Sequence, residues 1–124
     1  MWLSGKNDEY PAPVTMRRDK DFLRSLDQSV SLHYADKDFD LTKLSTELSL
    51  SKRQVQRRLK ALAGRTPSEY LRSYRLRRSL EFLQQGMQVG QVTRAVGFSS
   101  QAYFASCFKA EFDQTPSEYQ RRKI

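Results

Sequence analysis

Apolar residues along this chain recur at the spacing of helices, not strands. Phe22, Leu23, Leu26 and Val30 fall on one face of a first helix running from Asp19 to about Tyr34, with Asp19 or Asp21 suited to its first turn. Leu41, Leu44 and Leu48 then predict a short helix, capped by Asp40 and carrying the small Ser45 where another helix can approach closely. Leu50 fills the turn after it. Ser51, followed three residues later by Gln54, has the spacing of a capping box and opens a helix whose apolar seam is Val55, Leu59 and Leu62 and whose stop is Gly64. Two short helices joined by a tight turn are a helix-turn-helix arrangement.

Thr66-Pro67-Ser68-Glu69 is a second start signal, with a threonine cap, proline at the first helical position and a glutamate that bonds back from the third. No breaker follows until Gly86, so a long helix is expected over about 66–85, roughly 20 residues or ~30 Å at 1.5 Å per residue, with Leu76, Leu80 and Leu83 on its inner face. This is close to the ~34 Å between successive major-groove faces of B-DNA, as a spacer would be.

After Gly86 the pattern repeats. The pentapeptide TPSEY stands at Thr66–Tyr70 and again at Thr115–Tyr119, an offset of 49, at which Ser51, Val55 and Leu59 fall on Ser100, Phe104 and Phe108. Leu41, Leu44, Leu48 and Leu50 fall on Val89, Val92, Val96 and Phe98 at an offset of 48, so the second turn is one residue longer. An internal duplication follows: an all-α fold in which two helix-turn-helix units, about 40–64 and 88–113, flank one linker helix, with a short closing helix from Thr115. Residues 1–18, with Gly5, Pro11 and Pro13 and little periodicity, are expected to be a linker or flexible N-terminal arm, and residues 19–124 the folded domain.

Charge adds a direction. The 124 residues carry a formal net charge of +8. Between Lys52 and Arg78 stand ten lysines and arginines against the single acid Glu69, so the whole excess lies in the first unit and the linker helix. A folded basic helix calls for a polyanionic partner. The second unit, Gln88 to Asp113, is neutral, with Arg94 and Lys109 against Glu111 and Asp113.

Chemistry of other kinds finds no residues to carry it. The sequence has no glycine-rich phosphate loop, nucleophile elbow or zinc spacing, and one cysteine, Cys107, with one histidine, His33, makes neither a disulfide nor a zinc cage. Asp36, Asp38 and Asp40 alternate, but the twelve-residue calcium loop is missing. No enzyme activity, metal or cofactor is expected. No apolar run approaches the ~20 residues of a membrane span, and the opening lacks the apolar core of a signal peptide, so the expected location is the cytoplasm, on the nucleoid when DNA is bound.

Duplex DNA fits these residues. A recognition helix needs long donors near its N-terminus, and Arg53, Gln56 and Arg57 are the candidate base readers of the first unit, arginine suiting guanine and glutamine adenine. Gln101, Ala102 and Ser106 are those of the second. Lys52, Arg58, Lys60, Arg65, Arg72 and Arg75 are expected on phosphates, with the helix-start serines Ser51 and Ser100. The first unit should thus supply most binding free energy and base discrimination, and the second mainly position it. The alternative is a basic helical adaptor for an acidic protein partner, or one binding nucleic acid without sequence preference.

The run SKRQVQRRLKALAGRTPSEY, the later RLRRSL, the segment VGFSSQAYF and the ending FKAEFDQTPSEY together resemble the DNA-binding domain of AraC-type (AraC/XylS) transcription regulators, over about Asp19 to Arg122. The resemblance implies a seven-helix domain whose two recognition helices enter adjacent major-groove segments on one DNA face. It carries base contact over to Arg53, Gln56 and Arg57, and to Gln101, Ala102 and Ser106. Three positions depart from the family pattern: Ser106 where arginine is frequent, Thr93 where alanine is usual, and Asp113 where a helix-ending glycine is usual. The resemblance also implies bacterial transcription control, more commonly activation, with double-stranded DNA as partner and RNA polymerase as a candidate second one. The chain reads as the effector domain of a longer sensor regulator or a small stand-alone member, itself monomeric, any parent protein being dimeric.

Overall fold

A computed structural model describes the backbone of residues 14–123 and the side chains of residues 18–122. Among the described residues there are seven helices and no strand: α1 Val14–His33, α2 Leu41–Leu48, α3 Lys52–Ala63, α4 Pro67–Gln84, α5 Val89–Ala95, α6 Gln101–Phe112 and α7 Pro116–Lys123. The helix α1 therefore starts five residues before Asp19, and residues 14–18, expected in the arm, are helical; no breaker interrupts them once Pro13 is passed. The rest of the expected arm, residues 1–13, lies outside the described residues.

Local chemistry sets most boundaries. Asp40 caps α2 by accepting the Lys43 N–H at 3.1 Å. Both capping boxes close: the hydroxyl of Ser51 accepts from the Gln54 N–H and that of Thr66 from the Glu69 N–H, each at 3.1 Å, while Gln54 and Glu69 Oε1 accept the cap residues' own N–H groups at 2.8 and 2.9 Å. Thr115 and Glu118 repeat the second box at the head of α7.

The duplication holds at the level of single hydrogen bonds. In the first turn Ser49 is left-handed (φ 56°) and the Leu50 N–H bonds Ser45 O at 3.0 Å. In the second, 48 residues on, Gly97 is left-handed (φ 88°) and the Phe98 N–H bonds Thr93 O at 3.0 Å. Ser45 and Thr93, the equivalent small polar residues, are both buried, with each hydroxyl returned to its own helix, at Thr42 O and Val89 O. The additional residue of the second turn is Ser99, after which the offset becomes 49: Gly64 and Asp113 both end their recognition helices left-handed (φ 69° and 61°), their N–H groups bonded to Lys60 O and Lys109 O.

Two cores result. Phe22, Leu26, Val30, Phe39, Leu44, Val55 and Leu59 fill the first; Leu76, Leu83, Val92, Val96, Phe98, Phe104, Phe108 and Tyr119 fill the second. The helix α4 serves both, placing Tyr70, Leu71 and Tyr74 against the first and Leu76, Leu80 and Leu83 in or against the second. In the second unit aromatic residues take the places of aliphatic ones, and Phe104, Phe108, Phe112 and Tyr119 meet edge to face or tilted, with ring centroids 4.7–5.8 Å apart. Leu23 and Leu62, expected inward, are 39 % and 37 % exposed, because each lies at the margin of an apolar stripe whose centre is held by Phe22 and Leu26, or by Val55 and Leu59. The linker helix ends on Gly86, left-handed (φ 88°), with the Gly86 and Met87 N–H groups bonded to Leu83 O and Phe82 O, and Gln120 of α7 donates to Leu83 O and Met87 O at 3.1 and 2.7 Å.

Asp113 holds a left-handed conformation that glycine occupies without strain, so Asp113→Gly should stabilise the domain by about 0.5–1 kcal/mol, read as a higher urea midpoint at unchanged m-value. Backbone hydrogen bonds from Thr66 and Thr115 hold the Glu69 and Glu118 carboxyls below the usual glutamate range. Being lower folded than unfolded, these groups contribute fully above about pH 5 and lose that contribution as pH falls through their folded values. Replacing both by glutamine should therefore flatten the decline of Tm with acidification below about pH 5.

Candidate nucleic-acid interface

The first turn of α3 presents Lys52, Arg53, Gln56 and Arg57 to solvent, while Val55 and Leu59 are fully buried on the opposite side. Arg53, Gln56, Arg57 and Lys60 stand at i, i+3, i+4 and i+7, one face of the helix. No acid occurs anywhere in α3. Gln56, Arg57 and Lys60 also edge a shallow depression closed by Ala61, Thr66 and Pro67 at the corner between α3 and α4.

In α6 the matching face is Ala102, Ala105, Ser106 and Lys109, all exposed but the half-buried Ala105. Gln101 corresponds to Lys52 at the offset of 49; it is exposed, and its Oε1 rests against α5 where a Cβ on Gly90 would lie 3.1 Å away. Short side chains thus replace the arginines and glutamine of α3. Ser51 and Ser100 are the N-caps of the two recognition helices, their hydroxyl oxygens accepting from Gln54 N and Tyr103 N at 3.1 Å, which leaves each hydroxyl proton to donate.

Of the six cations expected on phosphates, Lys52 and Lys60 are exposed on α3, Lys60 reaching Gly64 O at 3.5 Å. Arg65 and Arg72, half-buried, share a cleft with Glu69 and Glu111. Two are differently employed. Arg58 lies over the Phe22 ring at 4.8 Å and its Nη2 approaches Arg18 O at 3.2 Å and Asp19 at 3.6 Å, so it joins α3 to α1. Arg75 is half-buried and donates through Nε to Tyr34 O and through Nη2 to Asp36 O, both at 2.8 Å. Burial pushes its guanidinium pKa down, and the charge of Asp36 opposes that shift. Part of the donor set of each, expected on phosphates, is thus engaged within the protein.

Residues that sequence reasoning left out gather between the two units. Lys37, Ser68, Ser99 and Tyr103 line a groove together with Arg72 and Arg75, and Tyr103 is 51 % exposed with its ring against Phe98. The signal for Ser99 was present in the sequence, as the extra residue of the second turn. Among the described residues no group of three acids, histidines or cysteines could hold a metal, and no helix is long and apolar enough to cross a membrane.

Residues 44–122 match the family described as a helix-turn-helix domain. A solved AraC-type regulator from Chromobacterium violaceum superposes with a TM-score of 0.75 at 29 % identity, over 87 % of this chain and 96 % of that one. The chain belongs to the AraC-type family. It is 32 % identical over 114 residues, 90 % of its length, to a segment of histidine kinase P4 of Formosa agariphila, and 31 % identical over 87 residues, 69 % of its length, to the transcriptional activator RhaS of Escherichia coli. It spans 8 % of the first of these proteins and 31 % of the second. The DNA-binding domain of AdpA, solved with a target DNA, has the same fold, with a TM-score of 0.74 at 22 % identity over 82 % of this chain and 90 % of that one. As an AraC-type domain the chain is a sequence-specific DNA-binding module of transcription regulation.

The two classes of cation separate experimentally. Lys52→Ala should reduce the slope of log affinity for duplex DNA against log salt by about 1 without altering stability. Arg58→Ala should leave that slope in place and lower unfolding free energy by about 1 kcal/mol, seen in urea titration.

Proposed function

We propose that this AraC-type domain reads an asymmetric duplex site with two unequal recognition helices, α3 supplying most of the base discrimination and α6 mainly positioning, in the service of transcription activation in a bacterial cytoplasm. The observation that carries this reading is the contrast between two helices of one duplicated design: α3 shows Arg53, Gln56 and Arg57 to solvent with no acid in the helix, whereas the same face of α6 shows Ala102 and Ser106. Arg53 and Arg57 would take guanine edges and Gln56 an adenine edge, with Gln101 as the longest reader of the second unit. Lys52, Lys60, Arg65, Arg72 and the cap serines Ser51 and Ser100 would hold phosphates.

Support for activation comes from the similarity to RhaS, and for engagement of duplex DNA from the fold shared with the AdpA domain. RNA polymerase is the partner that activation calls for. Two readers in one chain allow a monomer to occupy the site, with dimerisation left to a parent protein.

Selection from random duplexes at near-physiological salt should return two boxes about 10 base pairs apart, centre to centre, the first sharply defined and the second degenerate. Arg57→Ala should cost about 1–3 kcal/mol at the first box and relax one of its positions, and Gln101→Ala less. Equal losses of affinity and specificity in the two variants would overturn the asymmetry, and retention of duplexes without enrichment would favour a module that binds charge alone.

A further inference from the structure

Three chain segments that belong to different parts of the domain meet at Arg75. The guanidinium, projecting from the middle of the linker helix, bonds the carbonyls of Tyr34 and Asp36 in the loop that joins α1 to α2, and so grips the first unit. Beside the Arg75–Tyr34 bond stands Gly97, the left-handed residue of the second unit's turn. A Cβ on Gly97 would collide with the Tyr34 carbonyl oxygen and come within 2.9 Å of Arg75 Nε. The turn of the second unit is thus pressed directly onto the loop of the first, at the point where Arg75 ties that loop down. Tyr34, whose carbonyl takes the bond, packs its ring against both cores.

We propose that Arg75, with Gly97 pressed against it, is the lock that fixes how the two helix-turn-helix units are set relative to each other, and hence which separation of boxes the domain accepts. A single linker helix shared by two cores leaves each unit able to rock about it, because the cores touch α4 on different stretches. The Arg75 bonds are charge-assisted and directed at two carbonyls, that to Tyr34 part-buried, so they define a position more sharply than apolar contact does. Arginine is suited to this where lysine is not: its fork reaches two acceptors at once in a fixed plane. Arg75 is a positioning residue under this proposal and touches no base.

Its effect on operator spacing rests on the DNA reading above, but its effect on the protein does not, and the two are measured separately. Nitroxide labels at Ala61→Cys on α3 and Ala110→Cys on α6, equivalent exposed positions of the two units, in a Cys107→Ala background, report the distance between the recognition helices without DNA. Arg75→Met should broaden that distance distribution by about twofold or more, as loss of a restraint between two bodies does, and Arg75→Lys, able to serve one carbonyl at a time, should fall between. Unchanged widths in folded Arg75→Met or Arg75→Lys protein would overturn the proposal. In the second arm, duplexes with the two boxes separated by variable spacers are selected: wild type should favour one spacer, and Arg75→Met should reduce that preference by about tenfold, the ratio one charge-assisted hydrogen bond supplies, with base preferences inside each box unchanged. Broadened label distances with no enrichment of boxes by wild type would leave the lock standing and remove the DNA reading. Broadened distances with an unaltered spacer preference would remove the lock's proposed role in operator choice.

Discussion

Everything in this domain depends on one helix being shared. Neither core is large: the first closes with seven buried apolar side chains and the second with eight, and each takes part of its wall from the linker helix. Small cores bury too little surface to be secure alone. The polar fittings around α4 matter for that reason. Ser73 donates to Glu111 at 3.3 Å, Gln84 to the Tyr119 hydroxyl at 2.6 Å, and Gln120 to the carbonyls of Leu83 and Met87 at the end of α4 and just beyond it, so the second unit is attached by directed bonds as well as by apolar contact.

Duplication explains why these attachments look alike and yet differ. The two turns keep a left-handed residue at the equivalent position (Ser49, Gly97), the same hydrogen-bond pattern and a small buried polar residue beneath (Ser45, Thr93), and the two recognition helices end at the same lysine-to-cap bond. What has diverged is filling and surface. Phe98, Phe104 and Phe108 of the second unit stand where the first has Leu50, Val55 and Leu59, and the solvent face of α6 has lost the long donors that α3 carries. Ser99 adds a residue just before the second recognition helix, and it is one of the residues lining the groove between the units.

Much of this was legible in the sequence because it is written in local signals. Caps, glycine stops and the TPSEY repeat each depend on residues within one turn, and period counting found the centres of the apolar stripes. Their margins were not legible: Leu23 and Leu62 have the right spacing but sit at the edge of a stripe, where burial is decided by the neighbouring helix. The start of α1 was missed because two nearby prolines suggested a linker, although the residues after Pro13 contain nothing that breaks a helix. A count of cations could not tell which guanidinium groups face outward. Arg58 and Arg75 look like their neighbours in the sequence, and only the positions of α1 and of the loop at Tyr34–Asp36 show that they bond within the protein.

The order in which contacts become available along the chain differs between the two halves. Every side chain that fills or borders the first core has been passed by Tyr74, so that unit can close while the polypeptide is still being made. The second core waits for Tyr119, and the free end of the linker helix waits for Gln120. A growing chain therefore carries every residue of the basic unit, its arginine-rich helix included, before the neutral unit exists to accompany it.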